Sequence, residues 1–248
     1  MRDAFSFLNQ LSVNLVLDAA TGRGEFITVL KQNLKSYVQI IGIDSSEKSV
    51  DFAQKHFPEN DVEIFQMNLE KLDFGDGDFD LVCISNSLHH LENPDGAFTE
   101  MLRVLRPGGT FVIVEMFRDG EQSDPQLTHI MMHHWLASID RLFGIHHQET
   151  FTREEIMGMV GKLKLSRQQT YEFYVPVDNP KDVRNCESLK RNLSDTFKRL
   201  EQIEGSADLI SEGKEIMNRI NSVGCATPSR LLITGTKTKK KVMTQGDK

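Results

Sequence analysis

Two acidic residues, Asp18 and Asp44, each end an apolar run, and a glycine-rich turn follows the first of them. The segment at residues 16–26, VLDAATGRGEF, predicts a strand, then a turn of small residues, then a helix that begins at Gly24. Glycines let the backbone pass close to a ligand, and a helix start presents unpaired N–H groups beside it. An acid about 20 residues beyond such a turn is at the spacing of a ribose-binding carboxylate in a βαβ unit. The pattern predicts a site for a nucleoside-containing ligand.

The same turn argues against a dinucleotide. A dinucleotide fingerprint needs a third small residue three positions after its second glycine. Ile27 stands at that position, after Gly22 and Gly24. We therefore expect no pyrophosphate loop.

A second group of residues could act on a proton. His89 and His90 follow the fourth apolar run, and Glu115 ends the fifth. If these runs pair as neighbouring strands, Glu115 can orient and charge-balance a His89 imidazole that acts as general base. In the other interpretation, His89 caps a helical turn and Glu115 binds backbone. We predict His89 and Glu115 as the catalytic pair, with that structural alternative left open.

These residues must be positioned by alternating strands and helices. Strand-like runs at 14–18, 38–43, 62–66, 79–85 and 109–115 alternate with helical patterns at 24–35, 47–56 and 94–105, as in right-handed βαβ crossovers. Further strands are predicted at 170–177 and 230–236. Helix starts are indicated at Ser45 or Ser46, Asn93 and Thr152. The predicted fold is α/β: a Rossmann-like, doubly wound, mostly parallel seven-stranded sheet with helical insertions.

The turn resembles the D-x-G-x-G-x-G turn of class I S-adenosylmethionine-dependent methyltransferases, with Ala20 in place of the first glycine. Alanine tolerates positive φ poorly, so this substitution weakens the match slightly. Three later segments agree with the family in order: Asn68-Leu69, FDLVCISNSLHHL and LRVLRPGGTFVIVE. The resemblance covers residues 13–116 and is to the small-molecule branch, which includes ubiquinone and menaquinone biosynthesis enzymes.

The resemblance implies S-adenosylmethionine as cofactor and S-adenosylhomocysteine as product. It implies that the methionine end of the cofactor is surrounded by Asp18, Ala20, Gly22 and Gly24. It further implies that Asp44 holds the ribose, with Ser45 beside it, and that Asn68 and Leu69 face the adenine. We also expect cofactor contacts from Ser85 and His90, after the fourth strand.

Two segments lie outside the minimal domain, and we expect them to determine the acceptor. Residues 117–151 form a lid-like insertion with a helix at 125–143. Residues 179–223, between the last two strands, have two apolar helical stripes separated by Gly205-Ser206, which predicts a helical hairpin. The hairpin is expected either to roof the pocket or to pack peripherally as a candidate homodimer surface. One domain is predicted over 1–236, followed by a flexible basic tail at 237–248.

The lid-like helix is rich in histidine. His129 and His133 stand four residues apart, with Asp140 on the same face, and His134, His146 and His147 are near in sequence. Such a stripe fits a shared metal, a polar pocket lining or an ordinary helix face. No glutamate or cysteine completes a recognisable metalloenzyme motif, so we predict no metal.

The charge and the cysteine content limit the classes of binding partner and the cellular location that we expect. The net charge of −7 disfavours nucleic acid, because nucleic-acid binders usually carry a basic face. The three cysteines are odd in number and lack C-x-x-C spacing, so we expect neither a disulfide framework nor a zinc ribbon, and a reduced, cytoplasmic location. No export signal or membrane span is indicated.

The sequence as a whole predicts transfer of a methyl group to an oxygen, nitrogen or carbon atom of a small-molecule acceptor. The alternative is a non-catalytic cofactor-binding or assembly protein that uses the helical hairpin as its partner surface.

Overall fold

The computed structural model describes residues 4–239, apart from the side chains at positions 183 and 185. Seven strands form one sheet in the order β3-β2-β1-β4-β5-β7-β6. The strands are β1 (Leu15–Ala19), β2 (Gln39–Asp44), β3 (Val62–Gln66), β4 (Phe79–Ser85), β5 (Leu105–Met116), β6 (Ser166–Phe173) and β7 (Arg230–Thr236).

Strands β1 to β5 pair in parallel, and β7 runs antiparallel to both of its neighbours, β5 and β6. The predicted α/β fold with a mostly parallel seven-stranded sheet is confirmed. The order reverses between β1 and β4, where a doubly wound sheet opens a crevice at the carboxyl ends of its strands.

Within residues 4–239, seven α-helices flank or extend the sheet, and short 3₁₀ helices occupy Ser6–Gln10 and Leu88–His90. The α-helices are α1 (Glu25–Asn33), α2 (Glu47–His56), α3 (Pro94–Val104), α4 (Asp124–Leu142), α5 (Arg153–Gly161), α6 (Val183–Leu200) and α7 (Ala207–Val223). Three of the helix starts carry the expected caps: Ser46 accepts from Ser49 N–H, Asn93 from Gly96 N–H, and Thr152 from Glu155 N–H. These side chains satisfy N–H groups that have no partner within the helix.

The central strands are buried on both faces. Leu17, Val82 and Ile113 belong to an apolar layer with α3 and α5. Val16, Leu81 and Val112, their neighbours along the same strands, belong to the opposite layer with α1 and α2. Successive side chains of a strand point to opposite faces, so continuous apolar runs are what this double coverage requires.

The two insertions pack on each other. Helices α4, α6 and α7 share a third apolar cluster, in which Trp135, Leu193, Ile216 and Ile220 are almost completely buried. The Trp135 indole N–H also donates to the carbonyl of Leu209 at 2.8 Å. The apolar stripes of the hairpin are therefore occupied within the chain.

A disulfide joins Cys186, in α6, to Cys225, just after α7, with the Cα atoms 5.5 Å apart. The expectation that the chain has no disulfide was wrong, because sequence spacing could not show that the hairpin brings these two positions together. Cys83 in β4 is a free, buried thiol.

Two boundaries also differ. Strand β6 begins at Ser166, earlier than the predicted 170, because this edge strand is polar and exposed and lacks the apolar run on which the prediction depended. The predicted tail at 237–248 lies mostly outside the described residues. Lys237, its first residue, is held by bonds of 2.6 Å from Nζ to the carbonyls of Leu102 and Leu105.

Candidate functional site

A cavity of about 990 Å³ opens at the carboxyl ends of the parallel strands. Its volume is in the range of pockets that hold small ligands and cofactors. Nine of the ten residues expected at the cofactor line it: Asp18, Ala20, Gly22, Asp44, Ser45, Asn68, Leu69, Ser85 and His90. The topology brings them together because parallel strands end at one edge of a sheet.

Asp44 joins the first two turns of this cavity. One oxygen of its carboxylate accepts the Gly22 N–H at 2.8 Å, and the other accepts the Ser46 N–H at 2.9 Å. A carboxylate oxygen has two lone pairs, so each retains one. The two free lone pairs suit a pair of vicinal ribose hydroxyls.

Gly24, the tenth expected residue, does not line the cavity. It precedes α1 with φ of +87°, and a Cβ built there would lie 2.3 Å from the Phe57 ring. Both the left-handed backbone and the ring exclude a side chain. Gly24 therefore fixes where α1 begins, and with it the orientation of the helix's free N–H groups.

Ala20 adopts φ of +52°. An alanine therefore occupies the left-handed conformation here, which the glycines elsewhere in this turn adopt without strain. Gly22 also has positive φ, at +56°, and a Cβ there would meet nothing within 4 Å. The open side of the Gly22 backbone faces the space where a ligand would lie.

Asp18 is buried, with 1% of its surface exposed. Its carboxylate accepts a hydrogen bond from the Thr21 hydroxyl at 2.5 Å, and the Cys83 thiol lies 3.4 Å away. Burial raises the pKa of Asp18 to about 7, although both neighbours oppose the shift. Asp18 thus stabilises the turn through its hydrogen bond to Thr21 and also contributes to the cavity wall.

The cavity wall is predominantly acidic. Arg230 is the only lysine or arginine among the described residues that line it, whereas five lining residues are carboxylic acids: Asp18, Glu25, Asp44, Glu70 and Glu92. Such a field favours a cationic ligand, and S-adenosylmethionine carries a sulfonium charge. Asn68, which was expected to face the adenine, already accepts the Glu70 N–H through Oδ1 at 2.8 Å and retains a second lone pair.

His89 and Glu115 meet as the strand pairing suggested. His89 Nδ1 lies 3.1 Å from Glu115 Oε1, and Glu115 Oε2 accepts the Leu88 N–H at 2.8 Å. Only 1% of His89 and none of Glu115 is exposed. Neither residue lines the cavity, and His89 Nε2 is buried without a hydrogen-bond partner.

Further histidines surround this pair. His147, after α4, has its ring centroid 4.1 Å from that of His90 and 5.5 Å from that of His89, and His133 of α4 is 5.6 Å from His89. Desolvation, followed by the neighbouring His89 and His147, lowers the pKa of His90 to about 3. Desolvation also lowers the pKa of His133 and His147. These three imidazoles are therefore neutral at pH 7.

The histidines of α4 itself do not reach the cavity. Among the described residues, none of α4, His129 included, lines it, and none of 179–223 does. Ile145 and His146, which follow α4, do line it, so of the two alternatives for the hairpin this cavity favours peripheral packing. The only sequence signal for this loop was the histidine pair at 146–147.

Arg230 was missed because its position was assigned only as the start of a strand. It pairs in register with Met116 across β7 and β5, beside Glu115. Its guanidinium is largely desolvated, which lowers its pKa, while the charge of Glu115 raises it. Spacing along the chain offers no signal for a contact of this kind.

Comparison with known proteins agrees with this site. The family described as "Methyltransferase domain" matches residues 17–113. A demethylmenaquinone methyltransferase of Lactiplantibacillus plantarum is 31% identical over 133 residues, which are 52% of this chain and 54% of that protein. The chain thus matches about half the length of the curated relatives it resembles.

Solved structures share the fold. The YcgJ protein of Bacillus subtilis superposes with a TM-score of 0.61 at 19% identity, covering 96% of this chain and 100% of that one. Phosphoethanolamine N-methyltransferase 2 of Haemonchus contortus, solved with S-adenosyl-L-methionine, gives 0.56 at 16% identity, covering 96% and 53%. S-adenosyl-L-methionine is bound in the second of these structures, and the acidic wall and the open Gly22 backbone of this chain fit a ligand of that charge and kind. Residues 17–113 are therefore similar to a methyltransferase domain, and the chain shares the fold of these two solved structures.

Proposed function

We propose that this chain transfers a methyl group from S-adenosylmethionine to an oxygen, nitrogen or carbon atom of a small organic acceptor. The observation that carries the proposal is the cavity at the carboxyl edge of the sheet, because nine of the ten residues expected at the cofactor line one continuous space. The bound cofactor supplies an electrophilic methyl group. The chain's own task is to hold donor and acceptor in line.

Each part of the cavity wall has a share in that task. Asp44 would accept the ribose hydroxyls through its two remaining lone pairs, since its other lone pairs are fixed by Gly22 and Ser46. The acidic wall would favour the charged donor over the neutral product. Ile145 and His146, on the loop after α4, would contact the acceptor.

The His89–Glu115 pair was expected to act as a general base. Its complete burial favours another role, because a base must come within hydrogen-bond reach of the proton it removes. We propose that Glu115 holds the His89 ring in one orientation, with Nε2 directed away from the carboxylate. His89 and Glu115 are then positioning residues.

The acceptor is a narrower proposal. One relative is a demethylmenaquinone methyltransferase, which makes an aromatic ring a reasonable first acceptor to test. The family match ends at residue 113, however, and the segments expected to shape the acceptor site follow it. An acceptor panel should therefore include phenols, amines and activated carbon nucleophiles.

No helix within residues 4–239 is both long and apolar enough to cross a membrane. A cytoplasmic location stays a prediction, and the Cys186–Cys225 bond bears on it because cytosolic thiols are generally kept reduced. The redox state of this pair in freshly lysed cells would test that prediction.

The test of the function is transfer of a radiolabelled methyl group from S-adenosylmethionine to members of the acceptor panel. Cofactor binding is measured separately by calorimetry. Binding together with transfer supports the proposal. Binding without transfer to any acceptor would favour the non-catalytic alternative, and absence of binding would contradict both.

A further inference from the structure

Three imidazoles from separate parts of the chain converge beside the cavity. One ring nitrogen from each of His89, His90 and His147 lies within 4.8 Å of the other two. No other group of three or more potential metal ligands is this compact among residues 4–239. His89 and His147 are buried, whereas His90 is exposed and lines the cavity.

Two of these rings are oriented by carboxylates. His89 Nδ1 lies 3.1 Å from Glu115, and His147 Nδ1 lies 2.8 Å from Asp140. This is the arrangement in which metal-binding histidines are usually held: a carboxylate accepts the N–H of one ring nitrogen and leaves the other nitrogen free for the metal.

The free nitrogens have no other use in the fold. Nε2 of His89 and Nε2 of His147 are both buried without a hydrogen-bond partner. A buried polar atom without a hydrogen-bond partner destabilises the folded state, and here two such atoms lie on neighbouring rings. A shared metal ion would remove this destabilisation at both atoms.

The backbone around the rings is also fixed. The Gln148 N–H donates to the carbonyl of His89 at 2.8 Å, and the Arg141 guanidinium donates to the carbonyl of His147 at 3.0 Å. The first bond ties the loop after α4 to the 3₁₀ helix that carries His89 and His90, and the second ties the same loop to α4. The rings are therefore brought together by the tertiary fold rather than by mobile surface side chains.

We propose that His89, His90 and His147 bind a divalent transition-metal ion of the zinc type. Imidazole nitrogen suits zinc and its neighbours in the first transition series, whereas magnesium and calcium prefer oxygen. Three protein ligands leave a fourth position for water or substrate, as in catalytic zinc sites. Because His90 also lines the cavity, the ion would lie at the wall of the proposed acceptor site.

This site replaces the expectation of a metal-free protein. That expectation weighed His129 and His133 of α4 with the nearby Asp140, His134, His146 and His147, but not with His89 and His90. It could not consider His147 with His89 and His90, because the loop that joins them is ordered only by tertiary contacts. Metal binding here is independent of the proposed methyl transfer and can be measured without any activity assay.

The test uses the full chain without a histidine tag, stripped with a chelator and then titrated with Zn²⁺ by calorimetry. We expect about one Zn²⁺ per chain. His147→Ala should weaken binding at least about tenfold, and Asp140→Asn, which only removes the orienting charge, by about 10- to 100-fold. His134→Ala is the matched control. His134 lies on α4 and bonds to Thr150, outside the site, so this variant should bind Zn²⁺ with the affinity of the wild type.

Co²⁺ provides a second readout, since coordination by imidazoles in a four-coordinate site gives strong visible absorption. That absorption should appear in the wild type and in His134→Ala and should be lost in His147→Ala. Thermal melting of each stripped variant reports on folding, and Asp140→Asn keeps the side-chain shape in case His147→Ala is unstable. Absence of stoichiometric binding by the wild type, or equal losses in His134→Ala and His147→Ala, would overturn the site.

Discussion

The Asp44 carboxylate accepts the Gly22 backbone N–H at 2.8 Å, so the residue expected to hold the ribose also shapes the turn expected to hold the rest of the cofactor. The bond crosses from the end of β2 to the turn after β1. A change at Asp44 should therefore affect both the ligand and the loop around it.

Asp44→Asn should lower affinity for S-adenosylmethionine by about 10- to 100-fold, since bonds to a charged acceptor contribute about 1.5–3 kcal/mol. Calorimetric titration measures the change. The control is Asp51→Asn, which alters an exposed acid on α2 outside the cavity. Equal affinities for wild type and Asp44→Asn would contradict the assignment of Asp44 to the ribose.

Ala20→Gly should leave stability unchanged or raise it by up to about 1 kcal/mol. The left-handed conformation of Ala20, at φ of +52°, costs an L-residue roughly 1–2 kcal/mol, and the greater unfolded-state freedom of glycine offsets part of the gain. Urea denaturation checks this. Ala53→Gly, in the interior of α2, should instead lose about 1 kcal/mol or more, and a similar loss at Ala20 would argue against strain there.

Stability should depend on pH through Asp18. Burial raises its pKa from 3.8 to about 7, so between these values the folded state holds a proton that the unfolded state has released. The free energy of unfolding should then fall as pH rises through this window, by up to about 1.4 kcal/mol per pH unit. Asp18→Asn keeps an oxygen for Thr21 and should flatten the slope in denaturation curves between pH 5 and pH 7.5. An unchanged slope would rule out Asp18 as its source.

Two glycine-to-alanine changes in helices should shift the free energy of unfolding in opposite directions. A Cβ at Gly213 of α7 would lie 2.5 Å from Trp135 and 2.6 Å from Phe197, so Gly213→Ala should cost about 1–3 kcal/mol in strain, more than alanine gains in helix propensity. Gly158 of α5 has nothing within 4 Å, and Gly158→Ala should stabilise by about 0.5–1 kcal/mol. Thermal melts of both variants decide whether α7 packs this closely on α4.

Cys225→Ser should destabilise the oxidised protein by about 2–4 kcal/mol, because the bond to Cys186 closes a loop with a sequence separation of 39. Reducing agent should lower the stability of the wild type to the level of the variant and leave the variant unchanged. Denaturation with and without dithiothreitol makes the comparison. A wild type insensitive to reduction would show that the bond contributes little.

The local sequence determined most of the sheet and the donor site. Apolar runs and caps such as Ser46 and Asn93 depend on neighbours in the chain, so they located β1 to β5 and the helices between them. Asp18, Ala20 and Asp44 were identifiable because turn chemistry and the length of a βαβ unit fix their spacing. The polar edge strand β6 was predicted four residues too late in the chain, since it lacks an apolar pattern that would fix its bounds.

The tertiary structure alone decided the rest. Packing of the hairpin on α4 closed the Cys186–Cys225 bond and left the cavity to be walled by the loop after α4. The bond from the Gln148 N–H to the His89 carbonyl brought His147 against His89 and His90, and β7 brought Arg230 beside Glu115. Side chains from distant segments meet only after the insertions fold back over the sheet. Their positions in space therefore cannot be predicted from local spacing in the sequence.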